Sequence, residues 1–486
     1  MKILFVASEC APFVKTGGLA DVIGAVPKAL AALDVEARVL LPAYPAFDAL
    51  VASGETIWRS ADLHGGAARL VACHAEGIEL LLLDAPHLFA RPGNIYLGQD
   101  GQDWPDNAQR FAALSFVAAQ IATGALPDWQ PDVVHAHDWQ AGLVPAYLYA
   151  HKGTTPPCVL TIHNIAFQGL FDPSLISALG LSPALYTPEG IEYFGHIGFL
   201  KAGLAFADKI TTVSPTYTRE LMVPEFGMGL EGVMQARASD LSGILNGIDL
   251  EVWNPETDMD LVAPYSVRRL KPKAKNRAEV LRRFGLNDDQ TGPLFCVVSR
   301  LTTQKGLDLL LEALPTLVAR GAKLAVLGSG DKALEAGFVG AAHSYAGSVG
   351  VIIGYDEPLS HLMQGGSDAI LIPSRFEPCG LTQLYGLRYG TIPVVARTGG
   401  LADTVIDANE AALTAKCATG VQFAPVTKAA LEQAILRSCD LFDQPGVWSA
   451  MMRRAMRHPV GWDVSAGAYR DIYSEMIGAK SQRDGS

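Results

Sequence analysis

Short apolar runs recur along the chain, each ending in a polar stretch that carries glycine. The first, Lys2–Ser8 (KILFVAS), is followed by like runs at Val35–Pro42, Glu79–Ala85, Asp132–Asp138, Cys158–Asn164, Lys209–Pro215 and Leu241–Asn246. An apolar run without alternation reads as a strand buried on both faces, the habit of parallel sheets. Helical stretches separate several of them, among them Ala20–Leu33 and Asn107–Ala125. After a turn-rich passage from Asn246 (NGIDLEVWNPETD) the pattern starts again, with strands at Leu294–Leu301, Lys323–Gly328, Val349–Gly354, Asp368–Pro373 and Thr391–Ala396. A helix over Gly306–Arg320 carries one apolar stripe, Leu309, Leu310, Ala313, Leu314 and Leu317, which is core. Strands and helices alternating in two series predict an α/β chain of two Rossmann-like, doubly wound domains facing across a deep cleft. The expected parts are residues 1–245, residues 246–455 with a hinge near Asn246–Asp249, and a C-terminal helix within 456–486 that crosses back toward the first domain. A frayed tail is expected from about Lys480.

Composition narrows the class. At 486 residues the chain exceeds one core. Its net charge of −12 disfavours nucleic acid as a partner. The seven cysteines are scattered without a CxxC pair, which fits reduced thiols in a cytosol and argues against a structural zinc. No signal peptide precedes the first strand, and no apolar run reaches the ~18 residues of a membrane span. The basic segment Arg268–Arg283 reads as a solvated helix face.

Candidate chemistry sits where strands end, as ligands do in open α/β sheets. In the first series Lys15 and the pair Gly17-Gly18 offer a cation and close backbone approach, with neither GxGxxG nor P-loop spacing. His135, His137 and His163 suggest a metal. That reading is set aside, because His-x-His is taken to alternate faces and no nearby carboxylate completes a ligand set. Asp138 and His163 then read as partners for a polar ligand, with a capping Asp and a satisfied His as the alternatives. In the second series come Arg300 and Lys305 (SRLTTQKG), then Ser374–Leu387 (SRFEPCGLTQLYGL), a strand, tight turn and helix start with Glu377 before the turn. Two cations and a helix N-terminus suit a diphosphate, and with no acidic pair for Mg²⁺ the protein itself would neutralise the leaving group. Arg397–Thr404 (RTGGLADT) resembles Lys15–Val22 (KTGGLADV) and suggests an internal repeat. These parts point to a nucleotide sugar, whose transfer passes through an oxocarbenium-like state that a nearby carboxylate steadies.

Taken together, KTGGLADV (15–22), HAHDW (135–139), HNIAFQG (163–169), NGID (246–249), SRLTTQKG (299–306), SRFEPCGLTQLYG (374–386) and TGGLADTV (398–405) resemble the glycogen and starch synthase family of retaining glycosyltransferases. They span nearly the whole chain in the expected order. The resemblance implies the two-Rossmann-domain glycosyltransferase (GT-B) fold. It implies transfer of glucose from ADP-glucose to the non-reducing end of an α-1,4-glucan, no metal or other cofactor, a cytoplasmic setting, and neither nucleic acid nor membrane as partner. It assigns Glu377 to the transferred glucose and the transition state, Arg300 and Lys305 to the diphosphate, and His163 to the glucose near its 6-hydroxyl. Lys15 and Gly18 would contact donor phosphate or sugar, with Asp21 counted among the substrate-binding residues. Asp138 and Asn246 would line the pocket, Tyr355 would stack on adenine, and Tyr96 would meet the glucan. Cys379, Gly380, Leu381 and Thr382 would follow sugar and phosphate through backbone N–H groups.

One feature departs from a wider pattern of related enzymes, in which a second Glu follows the first. Eight positions after Glu377 stands Tyr385. The expected route is attack from the face that ADP leaves, with no covalent bond to Glu377. Spacing alone does not separate ADP-glucose from UDP-glucose. A nucleotide-sugar epimerase, a pyridoxal-phosphate phosphorylase and a non-catalytic carbohydrate binder are the rival readings.

Overall fold

The apolar runs are strands, mostly a residue or two shorter than expected. The structure, a computed structural model, describes residues 1–289 and 292–484. The chain divides into two units: Met1–Val213, Thr218–Asn246 and Trp462–Ser486 form one, Ser214–Tyr217 and Gly247–Gly461 the other.

In the first unit the strands are β1 (Lys2–Val6), β2 (Glu36–Pro42), β3 (Glu55–Ser60), β4 (Ala68–Ala75), β5 (Ile78–Asp84), β6 (Val133–His137), β7 (Cys158–Ile162), β8 (Leu170–Phe171), β9 (Glu192–Tyr193), β10 (His196–Gly198), β11 (Lys209–Thr212) and β12 (Leu241–Gly243). Nine of them form a sheet in the order β12-β11-β7-β6-β1-β2-β5-β4-β3, and β8, β10 and β9 form a small separate sheet. Pairing is parallel from β12 to β5, while β4 and β3 add an antiparallel margin that the sequence pattern did not show. The chain starts at the middle and winds outward both ways, so the order reverses between β1 and β6, and ligand crevices open at that point. Helix α1 (Gly18–Ala31) follows β1, and α2 (Asn107–Gln120) leads toward β6.

The second unit holds β13 (Leu294–Val298), β14 (Lys323–Gly328), β15 (Val349–Ile353), β16 (Ala369–Ile372), β17 (Ile392–Ala396) and β18 (Val421–Phe423) in the order β15-β14-β13-β16-β17-β18, all parallel. Here the reversal lies between β13 and β16. Its helices include α3 (Lys273–Arg283), α4 (Leu307–Ala319), α5 (Glu357–Gly366) and α6 (Thr382–Tyr389). Both faces of the sheet are covered. Phe295 and Val297 join the core layer that holds Leu310, Leu314 and Leu317 of α4, whereas Leu294 and Cys296 join the layer with Val280, Leu281 and Met363. That alternation explains why β13 carries no polar position.

Helix α7 (Trp462–Asp484) belongs to the first unit. Tyr473 meets buried His135 Nδ1 at 2.7 Å, His135 Nε2 meets Thr161 Oγ1 at 2.6 Å, and Lys480 donates to the Thr155 carbonyl at 2.7 Å. The helix thus runs through the position where fraying was expected to begin; Gly485 and Ser486 of that tail lie outside the described residues. No helix among the described residues is long and apolar enough to cross a membrane.

Candidate active site

The reversal in the second sheet brings two loops together. The loop after β13 carries Arg300 and Lys305; the loop after β16 carries Ser374–Leu381 and opens α6. Gly306 sits at φ +67, and a Cβ there would lie 1.9 Å from the Pro373 carbonyl oxygen, so only glycine lets the two loops touch. Arg375 locks them. Its guanidinium grips both carboxylate oxygens of Asp308 at 2.7 Å, and its N–H donates to the Gln304 carbonyl at 2.9 Å. Lys305 Nζ then stands 2.6 Å from Glu377 Oε2, and the Ser374 hydroxyl donates to the same oxygen at 2.8 Å. Lys305, Glu377, Gly380 and Thr382 line one pocket with Ser299 and Ser374. Sequence reasoning placed Lys305 on a phosphate and Glu377 on a sugar; the structure joins them as an ion pair.

Below Glu377 lies the second glycine pair. The Gly400 N–H donates to the Glu377 and Pro378 carbonyls, each at 3.1 Å. A Cβ on Gly399, at φ +44, would meet the Glu377 carbonyl oxygen at 1.9 Å, and one on Gly400 would meet that of Cys379 at 2.2 Å. Gln383, in the first turn of α6, donates to the Cys379 and Gly380 carbonyls at 3.0 and 2.9 Å. Arg300 and Tyr355 are exposed at the carboxyl ends of β13 and β15. The Arg300 guanidinium has no partner among the described residues, while the Tyr355 hydroxyl donates to Glu357 at 2.8 Å. Tyr385 stacks on Trp253 with centroids 3.6 Å apart, so the position of the absent second carboxylate is an aromatic contact.

In the first unit, Glu9 holds the Lys15–Gly18 loop. Its carboxylate accepts from Thr16 N and Oγ1, both at 2.6 Å, from Gly17 N at 3.1 Å and from the Tyr96 hydroxyl at 2.5 Å. Glu9 was not singled out from the sequence; an acid just past the first apolar run and ahead of the glycine loop was the available signal. Tyr96 therefore directs its hydroxyl inward, and burial with the neighbouring Glu9 charge pushes that phenol well above its usual range. Lys15 pairs with Asp21 at 2.8 Å. A Cβ on Gly17 or Gly18 would meet nothing within 4 Å, and neither has a positive φ, so folding does not require glycine there.

Asp138, at φ 53, turns back and accepts from the His163 N–H at 2.7 Å. This is the capping alternative: the carboxylate orders the loop that presents His163. Burial pushes Asp138 up to about 7 against the lowering pull of those N–H groups. His135 and His137 share a face, with centroids 4.1 Å apart, as a period of two requires; the expected alternation is corrected. His137 Nδ1 lies 3.0 Å from His163 Nε2, and burial pushes His135 and His163 down to about 3. Asn246 is buried, and its Oδ1 has no hydrogen-bond partner among the described residues. Elsewhere Asp258, Asp260 and His361 lie within ligand distance of one another. However, His361 Nδ1 sits 2.8 Å from Asp258 Oδ2, Tyr389 donates to the same oxygen, and Trp253 stacks on the His361 ring, so packing accounts for the group.

The two TGGLAD stretches are not a repeat of one unit in another. The first follows the opening strand of its sheet, β1; the second follows β17, the fifth strand of its own.

Comparison with known proteins gives the family. The starch synthase catalytic domain family matches residues 2–236, and the glycosyl transferases group 1 family matches residues 281–440. Glycogen synthase of Roseobacter denitrificans is 72% identical, covering 98% of this chain and 100% of its own length. Glycogen synthase of Paracoccus denitrificans is 57% identical, covering 98% of this chain and 99% of its own. The catalytic domain of starch synthase IV from Arabidopsis thaliana, solved with ADP and acarbose, superposes with a TM-score of 0.86 at 28% identity, over 98% of this chain and 99% of that one.

Proposed function

We propose a donor, an acceptor and a chemical step for this chain, which belongs to the glycogen and starch synthase family of retaining glycosyltransferases. It takes glucose from ADP-glucose and adds it to the non-reducing end of an α-1,4-glucan, keeping the configuration at C1. The observation that carries the reading is the meeting of Lys305, Glu377 and the start of α6 around one pocket. The ADP and acarbose of the starch synthase neighbour support the same classes of ligand.

In the proposed step the bond from glucose C1 to the phosphate oxygen breaks and the bond from C1 to the acceptor hydroxyl oxygen forms. Positive charge grows on the ring as the bond lengthens, and the Glu377 carboxylate offsets it. Negative charge grows on the departing diphosphate, where Arg300, Lys305 and the N–H groups opening α6 receive it, with those of Cys379, Gly380 and Leu381 beside them. Lys305 therefore moves its contact from Glu377 toward phosphate as the reaction proceeds. The acceptor hydroxyl attacks on the face that ADP leaves, and its proton passes to the departing phosphate oxygen. Glu377 forms no covalent bond, so a trapped glucosyl-Glu377 contradicts the route. Tyr355 stacks on adenine, Lys15 and Gly18 contact the donor, and Asn246 and His163 meet the sugar. Because burial favours neutral His163, it acts there as a hydrogen-bonding group. The charge of the leaving group is met by protein groups, without a metal.

Rates with ADP-glucose and UDP-glucose, each with and without glycogen, test the reading. The expected result is glycogen-dependent transfer with kcat/KM for ADP-glucose higher by at least about tenfold. Preference for UDP-glucose contradicts the donor assignment, and sugar conversion without glycogen supports the epimerase instead.

A further inference from the structure

The stretch Arg268–Arg277 gathers positive charge in an acidic chain. Six of its ten residues are Arg or Lys and none is Asp or Glu, against a net charge of −12 overall. A solvated helix face was the expectation. The structure instead wraps the stretch around a cavity of about 510 Å³, lined among others by Arg268, Arg269, Lys271, Arg277, Ser449 and Arg453. That volume lies in the range of small-molecule sites.

Some of these cations are committed. Lys273 is buried, with its ammonium shared by Thr391 Oγ1 at 2.8 Å and the Gln364 and Gly365 carbonyls at 3.1 Å. Arg277 pairs with Asp368 at 3.1 Å, and Arg453 donates to the Val267 carbonyl. Arg268, Arg269 and Lys271 are exposed and pair with none of the described residues. Asp368, the acid among the lining residues, is already matched by Arg277. The cavity thus has three cations free and no free acid.

We propose that this cavity binds a small phosphorylated molecule carrying two or more negative charges, a phosphate ester or a diphosphate, at a site separate from the donor pocket. Three adjacent free cations exceed what a single carboxylate balances, and arginine forks match phosphate oxygens in pairs. Separation follows from the topology. Asp368 on the lining directly precedes β16, whereas Ser374 and Glu377 follow it, so the two sites lie at opposite ends of one strand. At about 3.3 Å per residue they are more than ~10 Å apart.

The test titrates the full chain with inorganic pyrophosphate while ADP is held saturating, which fills the donor pocket. Wild type should bind one pyrophosphate per chain. The Arg268→Ser/Lys271→Ser variant should bind it at least about tenfold more weakly, while its melting temperature, ADP affinity and transfer rate without pyrophosphate stay at wild-type values. Lys271→Arg, which keeps the charge, should bind as wild type does. No binding under saturating ADP overturns the proposal, as does an affinity that the double variant leaves unchanged. Capture of heparin but not pyrophosphate would overturn it in favour of a polyanion face. Filling the donor pocket with ADP rests on the proposed donor; the comparison with the double variant reads the basic cavity whichever nucleotide sugar is used.

Discussion

The same six letters, TGGLAD, do opposite things in the two units. At Thr16–Asp21 the glycines face open space, and the loop is held from beneath by Glu9. At Thr398–Asp403 the glycines are pressed against the backbone of Glu377 and Cys379. Even the final aspartates diverge: Asp21 pairs with Lys15, while Asp403 accepts from Thr216 N and Oγ1 at 2.7 and 2.6 Å. Folding does not require glycine in the open copy, and the closed copy needs it so that another loop can come near. A motif therefore states a tolerance of the backbone; the surrounding topology decides what uses it.

The comparison makes Glu377 the object that the closed copy supports, so removing Glu377 sets the largest effect. Glu377→Ala should lower kcat by about 10³ with folding kept, as a circular dichroism melt beside the assay will show. Lys305→Ala comes next. It should lower kcat by roughly 10² and raise the donor KM as well, because its charge serves both ends of the breaking bond. Near-normal turnover in either would break the link between the closed copy and catalysis. Glu9→Gln probes the open copy from below. With its charge-assisted hydrogen bonds weakened, it should cost about 2 kcal/mol in denaturant unfolding and lower kcat/KM for the donor by about tenfold.

A pH-dependent effect probes how the first unit's loop at Asp138 is anchored. Asp138 is raised to about 7 in the folded chain, against about 4 unfolded. A raised acid contributes stability that is whole below the unfolded value and is lost as pH rises through the folded one. Between about pH 4 and 7 the denaturant midpoint of wild type should therefore fall relative to that of Asp138→Asn. His135 runs the other way: held down to about 3, it contributes above pH ~6.5 and loses that contribution as pH falls. A midpoint difference between wild type and Asp138→Asn that stays constant across that range would deny Asp138 this place.

Much of the architecture was legible because strands buried on both faces carry a one-dimensional signal. The antiparallel margin β3-β4 and the two-residue strands β8 and β9 were not, being short or half-exposed. The site residues were legible as letters at strand ends. Their pairing was not: Lys305 and Glu377 are 72 residues apart, and only the reversal between β13 and β16, with Gly306 touching Pro373, brings them to 2.6 Å. Arg375 and Glu9 were passed over because their partners, Asp308 and the Thr16 N–H, are set by loop geometry. Asp138 was read toward a ligand, and the fold uses it on backbone.

The account's central claim is that the open glycines receive the donor and the closed ones build the support under Glu377. Melting temperature and donor kcat/KM of Gly18→Ala and Gly400→Ala, measured side by side, test it most directly. Gly18→Ala should melt with wild type yet lose about tenfold or more in kcat/KM for ADP-glucose. Gly400→Ala, whose Cβ would sit 2.2 Å from the Cys379 carbonyl oxygen, should melt about 5 °C or more lower. A Gly18→Ala enzyme with wild-type kcat/KM, or a Gly400→Ala enzyme with wild-type melting, would contradict it.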